Sequence, residues 1–237
     1  TTHEEVADYV AALHAGIQDL IAKLDEAVEL KGIGIGAPNA NFYRGTIEHA
    51  PNLRWKGIVP LADLFREHYP DLPILVTNDA NAAAIGEQVF GAAKGVDDFV
   101  VITLGTGVGS GFVVGGDLMY GHDGFAGEFG HVTAVRGGRL CTCGKRGCVE
   151  TDAAAGGLVV TVQGELAASQ EESELRHVLP EEITPKRIFD AAENGDAIAK
   201  RAFDQTGKLL GEMLADLVAI SSPAVIYFFG GLAQAGD

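Results

Sequence analysis

Long apolar runs are missing from this chain. None approaches the roughly twenty residues that a membrane-spanning helix needs, and no stretch shows a signal-peptide pattern. A membrane is therefore not expected as partner. Positive charge is also scarce: 17 Lys and Arg stand against 33 Asp and Glu, for a formal net charge of −16. Without a basic cluster, so acidic a chain is not expected to hold nucleic acid or an anionic membrane surface. Cysteine is rarer still, with 3 in 237 residues. An odd number cannot all pair, and these lie together at 141, 143 and 148. That pattern predicts a reducing, cytoplasmic setting and a metal site rather than disulfides. An initiator methionine is absent, and the sequence stops soon after a Gly-Gly that follows the apolar run 224–229. More polypeptide is expected at both ends.

What is present describes a globular domain: 47% of residues are hydrophobic and 21% charged. Val6, Val10, Leu13, Ile17, Leu20, Ile21, Leu24 and Val28 recur at helical spacing over 3–30. Thr2 and Glu5 have the spacing of a capping box. K-G-I-G-I-G-A at 31–37 predicts a strand, 61–68 a helix, 73–77 a strand and 79–90 a helix. Residues 98–104 predict a strand running into G-T-G-V-G-S-G, with a second strand at 112–114, so the glycines fall in a hairpin. Helices follow at about 152–168, 185–193 and 195–220, separated by a charged surface loop at 169–184. Strands, hairpin and crossover helices together predict an α/β protein with a mixed sheet and no solenoid repeat.

Three stretches invite chemistry. In C-T-C-G-K-R-G-C-V-E at 141–150, glycines let the backbone wrap around Cys141, Cys143 and Cys148. Structural zinc takes four thiolate or imidazole ligands, and His131, ten residues upstream, is the natural fourth. The plainer alternative is three buried thiols acting as small hydrophobes. Glu128 and Glu150 flank this cluster and are equally readable as solvated surface residues. L-G-T-G-V-G-S-G at 104–111 could bring backbone N–H groups to a phosphate, although it is neither a Walker loop nor a dinucleotide fingerprint. A glycine-rich hairpin without a ligand is its alternative. Finally, Asn78, Asp79 and Asn81 crowd a strand-to-helix junction. They can cap the helix, or they can serve a ligand, since the carboxyl ends of strands are where α/β sheets bind them.

These pieces, in this order, resemble the ROK family of sugar kinases and repressors, within the actin-like, ribonuclease-H-like ATPase superfamily. The resemblance rests on G-I-G-A-P at 34–38, A-P-N-L-R-W-K at 50–56, N-D-A-N-A-A-A at 78–84, L-G-T-G-V-G-S-G at 104–111, G-E-F-G-H at 127–131, the cysteine motif at 141–150 and G-G-L at 230–232. It implies a two-lobed fold with mixed sheets and a zinc-stapled loop. The smaller lobe would run from the start to about residue 78 and the larger over 79–237, with the sugar in a cleft between them. The family's N-terminal Asp-Gly-Gly-Thr phosphate motif is not in this sequence.

The resemblance also implies roles. Asp79 matches the catalytic base. Asn78, Glu128, His131 and Glu150 match sugar ligands, with His131 also among the zinc ligands alongside Cys141, Cys143 and Cys148. Gly105, Thr106, Gly107 and Gly109 match the loop around the ATP phosphates, and Gly230 and Gly231 the adenosine side. The implied activity is transfer of phosphate from Mg²⁺-ATP to a hexose, glucose first, in a homodimer. The alternative is a sugar-responsive regulator whose DNA-binding segment lies outside this sequence.

Overall fold

The computed structural model describes residues 4–25 and 28–234. Thr2, one half of the expected capping box, lies outside them. The chain divides into two compact units, one of residues 1–94 with 118–127 and the other of 95–117 with 128–237.

The first unit contains helix α1 (Val6–Ala22), strands β1 (Ile33–Gly36), β2 (Ala40–Asn41), β3 (Thr46–Glu48) and β4 (Ile58–Val59), helix α2 (Leu61–Arg66), strand β5 (Ile74–Thr77) and helix α3 (Asp79–Phe90). β1 and β5 pair in parallel, from Ile33 opposite Ile74 to Gly36 opposite Thr77. β2, β3 and β4 form a small antiparallel sheet. Val10, Leu61, Phe65, Ile74 and Val76 share one core. α3 belongs to this unit because it packs on β1: a Cβ at Gly36 would lie 3.0 Å from that of Ala82. This compact unit therefore runs through α3 to Lys94. Residues 118–127 join this unit through side chains. Asn41 Nδ2 donates to the Asp123 carbonyl at 2.7 Å, Tyr43 Oη to that of Gly121 at 2.9 Å, and the Phe42 and Tyr120 rings stack at 4.2 Å.

The second unit contains strands β6 (Phe99–Leu104) and β7 (Val108–Val114), the first residue of the two-residue strand β8 (Asp117–Leu118), helices α4 (Glu150–Ala153), α5 (Ala155–Ala168), α6 (Pro185–Glu193) and α7 (Ala197–Ser221), and strand β9 (Val225–Phe229). Its sheet has the order β8-β7-β6-β9, with β7 antiparallel and β9 parallel to β6. As the central strand, β6 reads as a nearly continuous apolar run, and Phe99, Val101 and Ile102 are fully buried. One core includes Ile102, Phe112, Phe129, Val149 and Leu217, and a second gathers Leu158, Val162, Ile188 and Ile198 among the helices.

Several elements differ from expectation. α1 ends at Ala22, so Leu24 and Val28 lie beyond it. β7 begins at Val108 rather than Phe112, because Gly109 and Gly111 take ladder positions opposite Thr103 and Val101. The helix expected over 152–168 is two: Ala154 is extended, with φ −78° and ψ 166°, and α4 turns into α5 there. Gly157 permits the turn, since a Cβ on it would come within 2.7 Å of the Thr151 carbonyl. The 169–184 stretch holds two 3-10 turns, Glu174–His177 and Pro180–Glu182.

Candidate functional site

In the first unit, the chain leaves β5 at Thr77 and enters α3 at Asp79. Asn78 is the N-cap, extended at φ −60° and ψ 148°, and its Oδ1 accepts the Ala80 N–H at 2.8 Å. Asp79 Oδ1 also approaches that N–H, at 2.9 Å. Asp79 is exposed, whereas Asn81 faces inward and is buried. Capping thus falls first to Asn78. The Asp79 carboxylate stands at the carboxyl end of a strand and the positive end of a helix, where an anionic side chain is stabilised.

In the second unit, residues far apart in sequence converge. His131 closes a 3-10 turn, Phe129–His131, that follows the exposed Glu128. Thr133 bridges to Cys148 and Leu140 to Arg146, which folds the cysteine segment back on itself. Gly147, at φ +77°, sits where a Cβ would collide with the Val135 carbonyl, so no larger residue fits. Gly144, at φ +88°, turns the backbone back with its N–H on the Cys141 carbonyl at 3.0 Å.

The ligand atoms of His131, Cys141, Cys143 and Cys148 all lie within 4.8 Å of one another. His131 Nδ1 is 3.6 Å from Cys141 Sγ, and Cys143 Sγ is 3.6 Å from Cys148 Sγ. A tetrahedral zinc with ordinary bond lengths has S···S edges of about 3.8 Å and S···N edges of about 3.6 Å. The donor set fits that ion. Burial, then hydrogen bonds with Cys143 and Cys141, push the Cys148 thiol up to about 12. Burial also acts to raise that of Cys143, but the Lys145 backbone N–H and the sulfurs of Cys141 and Cys148 bring it below its ordinary value. As metal ligands all three would be thiolates, and a cation between them would offset their repulsion. With Nδ1 turned to the sulfurs, the other ring nitrogen of His131 remains for a different partner.

Next to this cluster lies the glycine loop. Only Gly105, Thr106 and Gly107 link β6 to β7. Gly105 N–H donates to the Gly107 carbonyl at 3.0 Å, and the Ala155 N–H at the start of α5 donates to the Gly105 carbonyl at 2.9 Å. Gly109 lies inside β7, its N–H on Thr103 Oγ1 at 3.2 Å. Among the described residues, none accepts the N–H groups of Thr106 and Gly107. Gly230, at φ +105°, sits where a Cβ would come within 2.1 Å of the Leu104 carbonyl, so the late Gly-Gly lies directly against the base of this loop.

Glu150, the first residue of α4, connects the two features. Its Oε2 accepts the Val108 N–H at 3.0 Å, and Cys141 Sγ lies 3.9 Å from its Oε1. That bond is not legible from the sequence, and neither is the work of two other residues. Gly130 takes a position where a Cβ would come within 2.0 Å of the Val108 carbonyl. Arg139 donates to the carbonyls of Thr151 and Gly157, both at 3.0 Å, and pairs with Asp152 at 3.1 Å, fixing the α4–α5 bend. Gly130 stands inside G-E-F-G-H and could be found by its place in that motif. Arg139 carries no local signal.

Comparison with known proteins follows the same lines. The sequence model of the ROK family matches residues 2–237. A glucokinase of Halalkalibacterium halodurans is 40% identical over 212 residues, covering 88% of this chain and 64% of that protein. Among solved structures, a ROK family glucokinase from Streptomyces griseus in complex with glucose and AMPPNP superposes with a TM-score of 0.77 at 36% identity, over 95% of this chain and 73% of that one. A ROK family transcriptional regulator, a homologue of the Escherichia coli Mlc protein, superposes with a TM-score of 0.82 at 31% identity, over 96% of this chain and 57% of the regulator. The chain thus spans just under two thirds of the length of the Halalkalibacterium glucokinase.

Proposed function

The chain belongs to the ROK family, and from that premise we propose that it serves an ATP-dependent hexose kinase, with glucose to glucose 6-phosphate as the first choice of reaction. The observation that carries this reading is the division of roles at the start of α3. Asn78 supplies the cap, and Asp79 keeps an exposed carboxylate. A protein that only binds sugar has no use for a base there.

In the proposed reaction, the hexose hydroxyl gives its proton to Asp79 as its oxygen attacks the γ-phosphorus of ATP. The bond from that phosphorus to the bridging oxygen breaks, and ADP leaves. Phosphoryl transfer depends mainly on positioning and charge stabilisation, so one carboxylate in reach of the nucleophile suffices on the protein's side. Asn78, Glu128, His131 and Glu150 would hold sugar hydroxyls. Carboxylates suit that task, because charge-assisted hydrogen bonds are the stronger kind. The loop of Gly105, Thr106 and Gly107, extended by Gly109, would receive the phosphates, whose Mg²⁺ arrives with the nucleotide. Gly230 and Gly231 would border the adenosine. Zinc on His131, Cys141, Cys143 and Cys148 would be structural, since four protein ligands leave no position for substrate. A cytoplasmic homodimer completes the proposal and rests on the family alone.

The likeness to a transcriptional regulator favours a second reading, in which the same lobes sense a sugar for a DNA-binding segment. ADP release by the full-length protein, given Mg²⁺-ATP and one hexose at a time, separates the two. Release with one hexose above the others is expected and names the substrate. Sugar binding without ADP release from any hexose would favour the regulator.

A further inference from the structure

We infer that the metal cluster sets the conformation of the glycine loop, and that Glu150 is the positioning residue through which it does so. The inference deepens the kinase reading and rests on it only for its consequence, nucleotide binding.

Val108 is the first residue after the loop, and both of its backbone polar groups meet the metal-bearing segment. Its N–H donates to Glu150 Oε2 at 3.0 Å. Its carbonyl packs against Gly130 so closely that a Cβ there would lie 2.0 Å away. Gly130 is the neighbour of the ligand His131, and Glu150 stands two residues after the ligand Cys148. The two contacts therefore approach Val108 from two arms of the cluster. A third fixes the next turn of the strand, where the Phe129 N–H donates to Ser110 Oγ at 3.0 Å.

The Glu150 side chain occupies its place because the loop is glycine. A Cβ on Gly107 would lie within 2.4 Å of Glu150 Oε2. The carboxylate thus lies directly over the loop, and its other oxygen is 3.9 Å from Cys141 Sγ. Val149 beside it is completely buried, and Thr151 Oγ1 donates to the Cys148 carbonyl at 2.7 Å, so α4 starts from a fixed point. Ordering the cysteine segment around a metal orders that starting point. Glu150 then passes the order to Val108 and to the N–H groups of Thr106 and Gly107 before it.

Amide hydrogen exchange of Val108, read by NMR on the full chain, tests this without reference to turnover. Chelating the zinc is expected to speed Val108 exchange by about tenfold or more, as local opening would, and returning zinc should restore the slow rate. Glu150→Ala, checked to retain its zinc, should exchange Val108 as fast as the chelated wild type. Glu150→Gln, whose amide oxygen can still accept the N–H, should stay protected. Val108 protection that survives chelation, while residues 139–149 open, would overturn the inference. So would wild-type protection in zinc-loaded Glu150→Ala. If chelation loosens β6 as well, the zinc-loaded Glu150→Ala protein decides by itself. A protein that shows these rates but phosphorylates no hexose would contradict the kinase reading alone.

Discussion

Two side-chain oxygens reach for the Ala80 N–H, Oδ1 of Asn78 at 2.8 Å and Oδ1 of Asp79 at 2.9 Å. Asn78 has the extended backbone of an N-cap, whereas Asp79 is already the first residue of α3. Losing a cap costs about 1 kcal/mol. Losing a charge near the helix dipole costs roughly 0.3–1 kcal/mol when exposed. Asn78→Ala should therefore lower the urea midpoint with an unchanged slope, and by more than Asp79→Asn does. The opposite order would give the cap to Asp79 and remove the main reason for reading it as a base. Such a junction shows why residue types alone left the question open: Asn and Asp serve caps and substrates with the same oxygens.

Among the elements, α7 offers a titratable start. Asp196 is its N-cap, with Oδ1 accepting the Ala199 N–H at 3.0 Å and Oδ2 accepting Ser173 Oγ at 2.6 Å and the Glu174 N–H at 3.0 Å. Burial works to raise its pKa, but the Ser173 hydroxyl and the backbone N–H groups outweigh it and hold the carboxyl below the usual range. A depressed folded value means stability that is complete above the unfolded carboxylate pKa and lost as pH falls through the folded one. Asp196→Asn should thus lower stability at pH 7 by about 1 kcal/mol, a modest figure for a half-buried group. Urea titrations at pH 7 and below pH 4 should show that difference shrinking in acid. A constant difference would mean that the charge contributes nothing.

Elements were legible where local chemistry and tertiary packing agree. α6 follows Thr184-Pro185, whose hydroxyl caps Arg187 N–H, and it spans the expected 185–193. α3 begins where its cap predicted. The start of β7 was not legible, because glycines disfavour strands on their own and are held there by the ladder to β6. β2, β3 and β4 are too short, at two or three residues, to show a period. Likewise, the convergence of His131 with the three cysteines could be read from Cys and His spacing. The link from Glu150 to Val108 spans 42 residues and uses a backbone N–H, which leaves no mark on residue type.

At the scale of the whole molecule, charge and the proposed function pull in opposite directions. A net charge of −16 repels an anionic nucleotide at long range. Salt screens that field beyond about 8–10 Å, so in the proposed kinase capture would rest on close donors such as the N–H groups of the 105–107 loop and on the Mg²⁺ that accompanies ATP. Composition therefore weighs against nucleic acid but is silent on a phosphate site of the proposed kind, which would be built from backbone. The family entered through motifs that bring their own geometry: the Cys-His cluster, the glycine hairpin and the Asn-Asp helix start.

The most direct test of the kinase account is phosphoryl transfer by full-length Asp79→Asn, with its hexose affinity measured alongside. The account predicts hexose binding close to wild type and a turnover lower by about two to four orders of magnitude, the range that a general base supplies. Near-normal turnover with hexose bound would contradict it and leave Asp79 as no more than part of a helix start.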